Sequence, residues 1–481
     1  MIVTMRFAPS PRLTCARRRG RAPAAVFVPA LVLLVAASAR ATGSCEHNRC
    51  DYANAVAIDS GGRIVLAGRS DDGRKGSEPN VAVWRLDDDG APDVTFGDGG
   101  IVLSDATVAV AGILVAGDGT IVVPSVEFQG VVLRRFGPDG SAIGTRPRSG
   151  DGRVETGFID TSSTGISAAN DRFDGIVVAD SGPPEEAVPG SRPVLRRFLA
   201  DGSEDGAFAA AARAPSAENA AARSSPIGTP LPPGTRATGS DIAIDNAGRI
   251  VVAGTLVFGG TDARPALWRF LPDGTPDTAF GDDGMVTRFP TEIVCYDAAA
   301  AVAVDNTGRV FVAGGTHIRA PSNDNDEGSI ITAVAVWCFT PNGVPDESFG
   351  YHGLVARNPG ATSTVAVAVR TDRENRVVVL SWPQDYGPSV SRYLPDGTPD
   401  ESFGEDGMVR AADLLPEAGL LVTAIAVDTS DRIVLAGLMW DEFADSDMGV
   451  CRLNSDGSLD TSFGTDGVVS YDRLAGFGSA E

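Results

Sequence analysis

Lysine and histidine are nearly absent from this sequence. Lys75 is the only lysine among 481 residues, and the three histidines, His47, His317 and His352, lie far apart. A hydrolase triad would need one of these histidines beside a nucleophile, yet the chain contains no G-x-S-x-G nucleophile elbow. A C-x-x-C pair is also missing, which argues against a zinc ribbon or a thioredoxin-type site.

Long apolar runs are confined to the N-terminus, and no later run approaches the roughly eighteen residues of a transmembrane helix. Six arginines and no acid precede the apolar run Ala25–Ala37, and Ala39 and Ala41 then frame a cleavage site. This order is typical of a secretory signal peptide, with an uncleaved anchor as the alternative. We expect residues 1–41 to be removed. The mature chain is then secreted, periplasmic or located in the cell envelope, without a membrane span.

Acidic residues outnumber basic ones, 63 to 40, which gives a formal net charge of −23. Removal of the signal peptide takes away seven arginines and no acid, so the mature chain is still more acidic. Nucleic acid and anionic membranes repel such a surface, and we expect neither as a partner. The expected partner is an unknown protein or a polysaccharide, and the chain itself is expected to be a monomer.

A motif recurs along the chain about every sixty residues. It reads RYLPDGTPDESFGEDGMV from Arg392, and well-preserved copies begin at Arg85, Arg269, Cys338 and Arg452. Degraded copies begin at Arg135 and Arg197. A second motif alternates with the first: it reads VAIDSGGRIVLAG from Val56, IAIDNAGRIVVAG from Ile242, VAVDNTGRVFVAG from Val302 and IAVDTSDRIVLAG from Ile425. Two β-branched runs around a Gly/Asp/Asn turn indicate a β-hairpin.

One repeat therefore contains four short strands, which in the first copy are Ala55–Asp59, Arg63–Gly68, Val81–Leu86 and Ile101–Ser104. Seven such units predict an all-β fold, a β-propeller of seven four-stranded blades over residues 51–472. Residues 42–50 form a short N-terminal segment, and residues 473–481 form a C-terminal tail. The Ala-, Pro- and Ser-rich residues 209–240 are predicted to be a flexible insertion.

The two alternating motifs resemble the delta-60 repeat, a β-propeller repeat of exported bacterial proteins. Five copies match it well and two match it poorly, so the resemblance covers nearly the whole mature chain. It implies the propeller fold and export. It implies no activity that could be assigned to a residue.

The acidic motif could be a calcium site or a turn. Asp396 and Asp400 recur in most copies, but Glu405-Asp406 is replaced by Tyr351-His352 in another copy. A calcium cage needs six to eight convergent oxygens, and the positions that would complete it do not recur. The recurring residues are those that shape a backbone, such as Gly397 for a positive φ. We therefore interpret the motif as a turn, with Phe403 packed between blades.

A propeller enzyme would place its site in the central channel. The positions expected at the channel mouth carry one carboxylate among small residues: Ala55, Gly112, Asp241, Ala301, Ala366 and Ala424. One acid does not make a metal or acid–base cluster. We therefore expect no catalytic residue, no metal and no other cofactor.

Recognition is expected in the variable loops between the second and third strands of the blades. Two of these loops combine aromatic residues with acids, and their candidate ligand-binding residues are Trp382, Asp385, Tyr386, Trp440, Asp441 and Phe443. Such residues suit stacking on a sugar or a peptide, although packing under the loop is the alternative. The preferred function is an exported, non-enzymatic binding or scaffold module. The alternative is a secreted hydrolase or lyase with a divalent metal in the channel.

Five cysteines remain after cleavage, and export allows them to be oxidised. Cys338 stands where other copies of the motif have arginine, and Cys295 precedes the first strand of the same repeat. A Cys295–Cys338 disulfide is predicted if their Cα atoms lie within about 7 Å. Cys45 and Cys50 form a second candidate pair, or one of them bonds to Cys451.

Overall fold

Seven antiparallel sheets form the blades of a ring. The structure is a computed structural model. It describes residues 51–71, 80–106, 109–127, 130–143, 153–155, 166–171, 175–180, 193–199, 203–208, 236–258, 262–290, 297–319, 330–358, 364–383, 387–415, 419–440, 446–472 and 476–478. In most blades the strands follow one another in space as they do in sequence, and β1, β10, β13, β17, β21 and β25 are the innermost strands. The chain is a seven-bladed β-propeller, as predicted.

The first three blades occupy the N-terminal half of the ring. Blade 1 contains β1 (Tyr52–Ile58), β2 (Ile64–Ser70), β3 (Asn80–Leu86) and β4 (Ile101–Ala106); blade 2 contains β5 (Ala109–Val110), β6 (Leu114–Val115), β7 (Ile121–Glu127), β8 (Gly130–Phe136) and β9 (Arg153–Glu155); blade 3 contains β10 (Ile166–Asn170), β11 (Ile176–Asp180) and β12 (Val194–Phe198). In blade 2, β5 and β6 share the position of the innermost strand, because both pair with β7.

The remaining four blades are more regular. Blade 4 contains β13 (Arg236–Ile244), β14 (Ile250–Phe258), β15 (Asp262–Phe270) and β16 (Met285–Val286); blade 5 contains β17 (Ala298–Val304), β18 (Val310–Arg319), β19 (Ile330–Phe339) and β20 (Leu354–Arg357); blade 6 contains β21 (Thr364–Thr371), β22 (Val377–Pro383), β23 (Ser389–Tyr393) and β24 (Met408–Arg410), followed by helix α1 (Ala411–Leu414); blade 7 contains β25 (Gly419–Val427), β26 (Ile433–Trp440), β27 (Ser446–Leu453), β28 (Val468–Asp472) and β29 (Gly476–Gly478).

The hydrophobic core is divided among the gaps between blades. Trp84 of blade 1 packs with Val434 and Phe463 of blade 7, and Trp268 of blade 4 packs with Val177 of blade 3. Both sides of these strands are buried because each sheet has a neighbour on either face. This explains why the sequence shows nearly continuous apolar runs in the hairpins.

The structure corrects two predicted boundaries. Strand β13 begins at Arg236, so the last five residues of the predicted insertion 209–240 belong to a strand. Strand β29 lies within the predicted tail 473–481 and pairs with β28 at the outer edge of blade 7. The predicted signal peptide, the segment 42–50 and residues 209–235 lie outside the described residues. Among the described residues, no helix is long and apolar enough to cross a membrane.

Candidate functional site

The ring has two faces of different character. One face carries the turns between the first and second strands of the blades. It also carries the turns that follow the third strands, which we call PDG turns after residues 395–397 of blade 6. We call this face the latch face. We call the opposite face, where the second and third strands of each blade are connected, the loop face. Antiparallel pairing places these two sets of connections at opposite ends of the strands. The recurring acids lie on the latch face, and the candidate residues Trp382 and Trp440 lie on the loop face.

Asp396 shapes the PDG turn of blade 6. Its Oδ1 accepts hydrogen bonds from the backbone N–H of Thr398 at 2.9 Å and from the Thr398 hydroxyl at 2.7 Å. These bonds from Thr398 favour the charged form and lower the pKa of Asp396. Gly397 follows with φ +83°, a conformation that L residues rarely adopt. The contacts agree with the interpretation of the motif as a turn.

Asp400 binds both the following turn and a buried arginine. Oδ1 accepts the N–H of Ser402 at 3.1 Å, and Oδ2 accepts Nε–H of Arg392 at 2.8 Å. Burial alone would raise the pKa of Asp400, but the hydrogen bonds from Ser402 and the Arg392 charge outweigh it and lower the pKa. Arg392 is almost completely buried, so this pair lies inside the protein and not on its surface.

The same arginine connects blade 6 to blade 7. Its Nη1 donates to the carbonyl oxygen of Ser455 in the PDG turn of blade 7, and its guanidinium lies 4.5 Å from the ring centroid of Phe403. The N–H of Gly404 donates to the Asp456 carbonyl at 2.8 Å. Phe403 is fully buried, which is worth roughly 1.5–3 kcal/mol. The motif is therefore a latch between blades as well as a turn.

The latch recurs around the ring. Its arginine, aspartate and phenylalanine are Arg85, Asp93 and Phe96 in blade 1, Arg197, Asp205 and Phe208 in blade 3, Arg269, Asp277 and Phe280 in blade 4, and Arg452, Asp460 and Phe463 in blade 7. Blade 3 keeps the latch, because Arg197 donates to the Pro272 carbonyl of blade 4 at 2.8 Å. The sequence predicted the turn but not the contact with the next blade.

Blade 5 builds its latch from a different arginine. Cys338 occupies the arginine position, and its thiol lies 3.8 Å from Oδ2 of Asp346. Arg309, from the hairpin turn, donates instead to the Pro395 carbonyl of blade 6 at 2.8 Å and lies 3.7 Å from Asp346. It also keeps its local bond to Asp305 at 2.8 Å. Arg309 thus caps its own hairpin and also supplies the bond to the carbonyl of the next blade that the buried latch arginine supplies in blades 1, 3, 4, 6 and 7.

The acids at the ends of the innermost strands cap hairpin turns. Asp59 accepts the N–H groups of Gly61 and Arg63 at 2.8 and 2.9 Å, and its second oxygen accepts Arg63 Nε at 2.7 Å. The same arrangement is built on Asp245, Asp305, Asp372 and Asp428. These carboxylates therefore stabilise the hairpin turns.

Asp241 is the exceptional acid of the innermost strands. It accepts hydrogen bonds from Ser167 Oγ of blade 3 at 2.8 Å and from the Val302 N–H of blade 5 at 2.9 Å. Burial raises the pKa of Asp241, and the charge of Arg370 in blade 6 opposes this shift. The other carboxylates do not converge on it: among the described residues, no group of three His, Cys, Asp or Glu side chains could hold a metal. Asp241 joins three blades beside the channel.

A bulge that blades 1, 4, 5, 6 and 7 share shows that one predicted channel position is wrong. In blade 6 the register shifts between Ala366 and Ala368, so that Ala368 pairs with Leu380 as Asp241 pairs with Ala253 in blade 4. Ala368, and not Ala366, is the equivalent of Asp241. Arg370 stands two residues further along, on the same side of the strand.

Trp440 is an exposed aromatic residue on the loop face. It ends β26, pairs with Gly419 of β25 and is 40% exposed. A Cβ atom on Gly419 would lie 1.9 Å from Cε2 of Trp440, so the indole ring lies directly on the glycine backbone. Only glycine permits this close approach. The ring is thus supported on one side while much of its surface remains open to solvent.

Trp382 occupies a different gap between blades. It is the penultimate residue of β22 and is half-buried, and its indole N–H has no hydrogen-bond partner among the described residues. Val378 and Leu380, on the same side of β22, pack toward blade 7, whereas Leu438, on the Trp440 side of β26, packs against Tyr52 of blade 1. Alternation along the strands therefore places the two indoles in neighbouring gaps. Asp385, Tyr386, Asp441 and Phe443 lie outside the described residues.

Cys338 and Cys451 are buried free thiols. Burial raises the pKa of Cys451 to about 12, which disfavours the reactive thiolate. Cys295, Cys45 and Cys50 lie outside the described residues, so the pairings stay predictions for thiol mapping.

Three segments of the chain match a family model described as "Domain of unknown function (DUF5122) beta-propeller": residues 62–96, 248–280 and 429–463. The chain is a repeat-built β-propeller. Each segment runs from the hairpin turn through the second and third strands to the latch phenylalanine of blades 1, 4 and 7. The narrower resemblance to the delta-60 repeat stays a prediction. No curated protein matches the chain.

Solved structures are similar to this propeller at low sequence identity and with TM-scores below 0.5. An ulvan lyase of polysaccharide lyase family PL25 is 10% identical with a TM-score of 0.46, and the match covers 87% of this chain and 97% of that one. A protein of unknown function from Bacteroides caccae is 12% identical with a TM-score of 0.37, covering 73% and 97%. A prolyl endopeptidase is 12% identical with a TM-score of 0.41; 88% of this chain spans 53% of that enzyme. These similarities concern the fold alone.

Proposed function

We propose that this propeller is an exported, non-enzymatic binding module that recognises a polysaccharide through its loop face. Trp440 carries the proposal. Its indole is held on Gly419 and exposed by 40%, which is the arrangement of a stacking surface that needs no rearrangement before binding. Large aromatic side chains with such support dominate many binding interfaces.

The chemistry of the remaining polar groups supports binding over catalysis. The latch and hairpin carboxylates are bonded to backbone N–H groups and arginines, where they fix turns. The alternative, a hydrolase or lyase with a divalent metal in the channel, would use Asp241. That carboxylate instead accepts bonds from Ser167 and Val302 and has Arg370 as its charged neighbour, which favours an internal structural role.

A glycan array with the purified mature protein tests the proposal. Trp440→Ala should weaken binding of any glycan that the wild type retains by tenfold or more, a typical loss for an aromatic anchor, about 1.4 kcal/mol or above. Trp440→Phe should retain part of the affinity. Tyr351→Ala is the matched control, because Tyr351 is an aromatic residue of similar exposure, 46%, on the latch face.

Two results would oppose this function. Equal losses in Trp440→Ala and Tyr351→Ala would remove the loop face as the binding surface, and no glycan bound by the wild type would remove the polysaccharide. Metal analysis of the same preparation addresses the alternative. A stoichiometric, tightly held divalent ion that Asp241→Asn releases would favour the channel enzyme.

A further inference from the structure

The joint between blades 7 and 1 differs from the other six in its covalent connection. Every blade is built from consecutive strands, so the chain itself links each blade to the next from blade 1 to blade 7. Blade 1 begins at Tyr52, and blade 7 ends its four-stranded core at Asp472. Contacts between these two blades must therefore close the ring without help from the backbone.

The latch of blade 7 reaches blade 1 in the usual manner. Nη1 of Arg452 donates to the Asp88 carbonyl, and the N–H of Gly464 donates to the Asp89 carbonyl at 2.7 Å. A Cβ atom on Gly90 would lie 2.9 Å from the Phe463 ring, so this turn of blade 1 is packed tightly against Phe463 of blade 7. These contacts reproduce those at the joints between covalently linked blades.

One side chain adds contacts that the sequence allows only here. Asp88 occupies a turn position that the other copies fill with a residue without a carboxylate: Pro138, Ala200, Pro272, Pro341, Pro395 and Ser455. Its Oδ1 accepts Nη2 of Arg432 and lies 3.2 Å from Nη1 of Arg452. Arg452 is almost completely buried and Arg432 is about three-quarters buried, so two guanidiniums of blade 7 share one carboxylate of blade 1.

We propose that Asp88 is an ionic clasp that holds the ring closed at its covalent break. The two guanidiniums are anchored by their own carboxylates, since Nε of Arg432 donates to Asp428 at 2.5 Å and Nε of Arg452 donates to Asp460 at 2.7 Å. Contacts within blade 7 therefore hold both guanidiniums in position independently of Asp88. Because the Asp88 side chain is 57% exposed, salt screens this contact, and the joint opens more easily at high ionic strength.

Hydrogen exchange can compare the joints within one molecule. Five latch N–H groups donate across a joint at 2.7–2.9 Å and act as equivalent reporters: Gly97, Gly281, Gly350, Gly404 and Gly464. Exchange is followed by mass spectrometry with residue-level fragmentation at low and high NaCl. In the wild type, exchange at Gly464 should rise with salt more than exchange at the other four glycines.

Variants separate the clasp from the rest of the latch. Asp88→Asn should speed exchange at Gly464 by roughly threefold to fivefold at low salt and remove its salt dependence, with Gly404 unchanged. Asp88→Pro should have the same effect on Gly464 exchange, because proline occupies this turn position in four other blades. Arg432→Gln also removes the bond to Asp428 within blade 7, but it should add little to the effect of Asp88→Asn on Gly464 exchange, because both remove the same ion pair across the joint. Glu405→Gln, which removes an exposed carboxylate at the joint between blades 6 and 7, is the control. An equal salt response at all five glycines, or unchanged Gly464 exchange in Asp88→Asn, overturns the proposal.

Discussion

Arg392 and Asp400 show at the scale of single residues why the acidic motif is structural. Removing the Asp400 charge leaves a buried guanidinium without its carboxylate. Asp400→Asn should therefore lower the free energy of unfolding by about 3 kcal/mol. The measurement is a urea unfolding curve at pH 7. Asp406→Asn provides the control: Asp406 lies in the same turn with φ +53°, which asparagine tolerates, and should change stability by less than about 0.5 kcal/mol. Equal effects of the two substitutions would contradict the latch.

The lowered pKa values of the turn and latch carboxylates predict loss of stability in acid. A carboxyl whose pKa is lower in the folded state stabilises the fold above its unfolded pKa, and this contribution disappears as the pH falls. The affected groups are Asp93, Asp118, Asp139, Asp205, Asp273, Asp346, Asp396, Asp400, Asp456 and Asp460.

The urea midpoint should therefore fall as the pH drops below about 4, the ordinary value for an aspartate. Asp87 and Asp241 act in the opposite sense, because burial raises their pKa values and their charged forms weaken the fold as the pH rises. They are outnumbered by the groups with lowered values. Asp400→Asn should reduce the pH dependence, and a midpoint that stays constant from pH 5 to pH 3 would contradict this assignment.

Blade 5 carries the prediction at the scale of a structural element. Arg309 replaces the latch arginine that Cys338 has displaced, whereas Arg249 at the same hairpin position in blade 4 bonds to Asp245 at 2.6 Å. Arg309→Ala should therefore cost about 2 kcal/mol more than Arg249→Ala, since it also removes bonds to Pro395 and Asp346. Thermal and urea unfolding of both variants provide the comparison. Equal losses would show that Arg309 does not hold blade 6.

Individual turns, strands and side chains show what could be predicted from the sequence and what could not. Turn residues repeat because backbone conformation demands them, so the hairpins and the seven blades followed from the pattern. The contacts of Arg392 with the next blade could not be predicted, because its partner is a backbone carbonyl that any residue at position 455 supplies. The channel position of blade 6 was placed two residues too early, although Asp372 and Arg376 repeat Asp59 and Arg63 of blade 1 and mark Ala368 as the counterpart of Ala55. The sequence identified Trp440 as an aromatic residue of a variable loop. Its contact with Gly419 could not be predicted, because it depends on the register between β25 and β26.

At the scale of the whole molecule, closure by side chains predicts how the ring responds to a change of chain order. A circular permutant can join residue 481 to residue 51 through a Gly/Ser linker and begin within residues 359–363, between β20 and β21. All seven blades keep their strands, so the far-UV circular dichroism spectrum should match that of the wild type. The joint between blades 7 and 1 becomes covalent, and Asp88→Asn should then lower the urea midpoint less than it does in the natural order. The joint between blades 5 and 6 loses its covalent link and is held by side-chain packing and by its latch through Arg309 and Gly350, so Arg309→Ala should become more harmful there. An unchanged effect of either substitution would mean that chain continuity contributes nothing to closure.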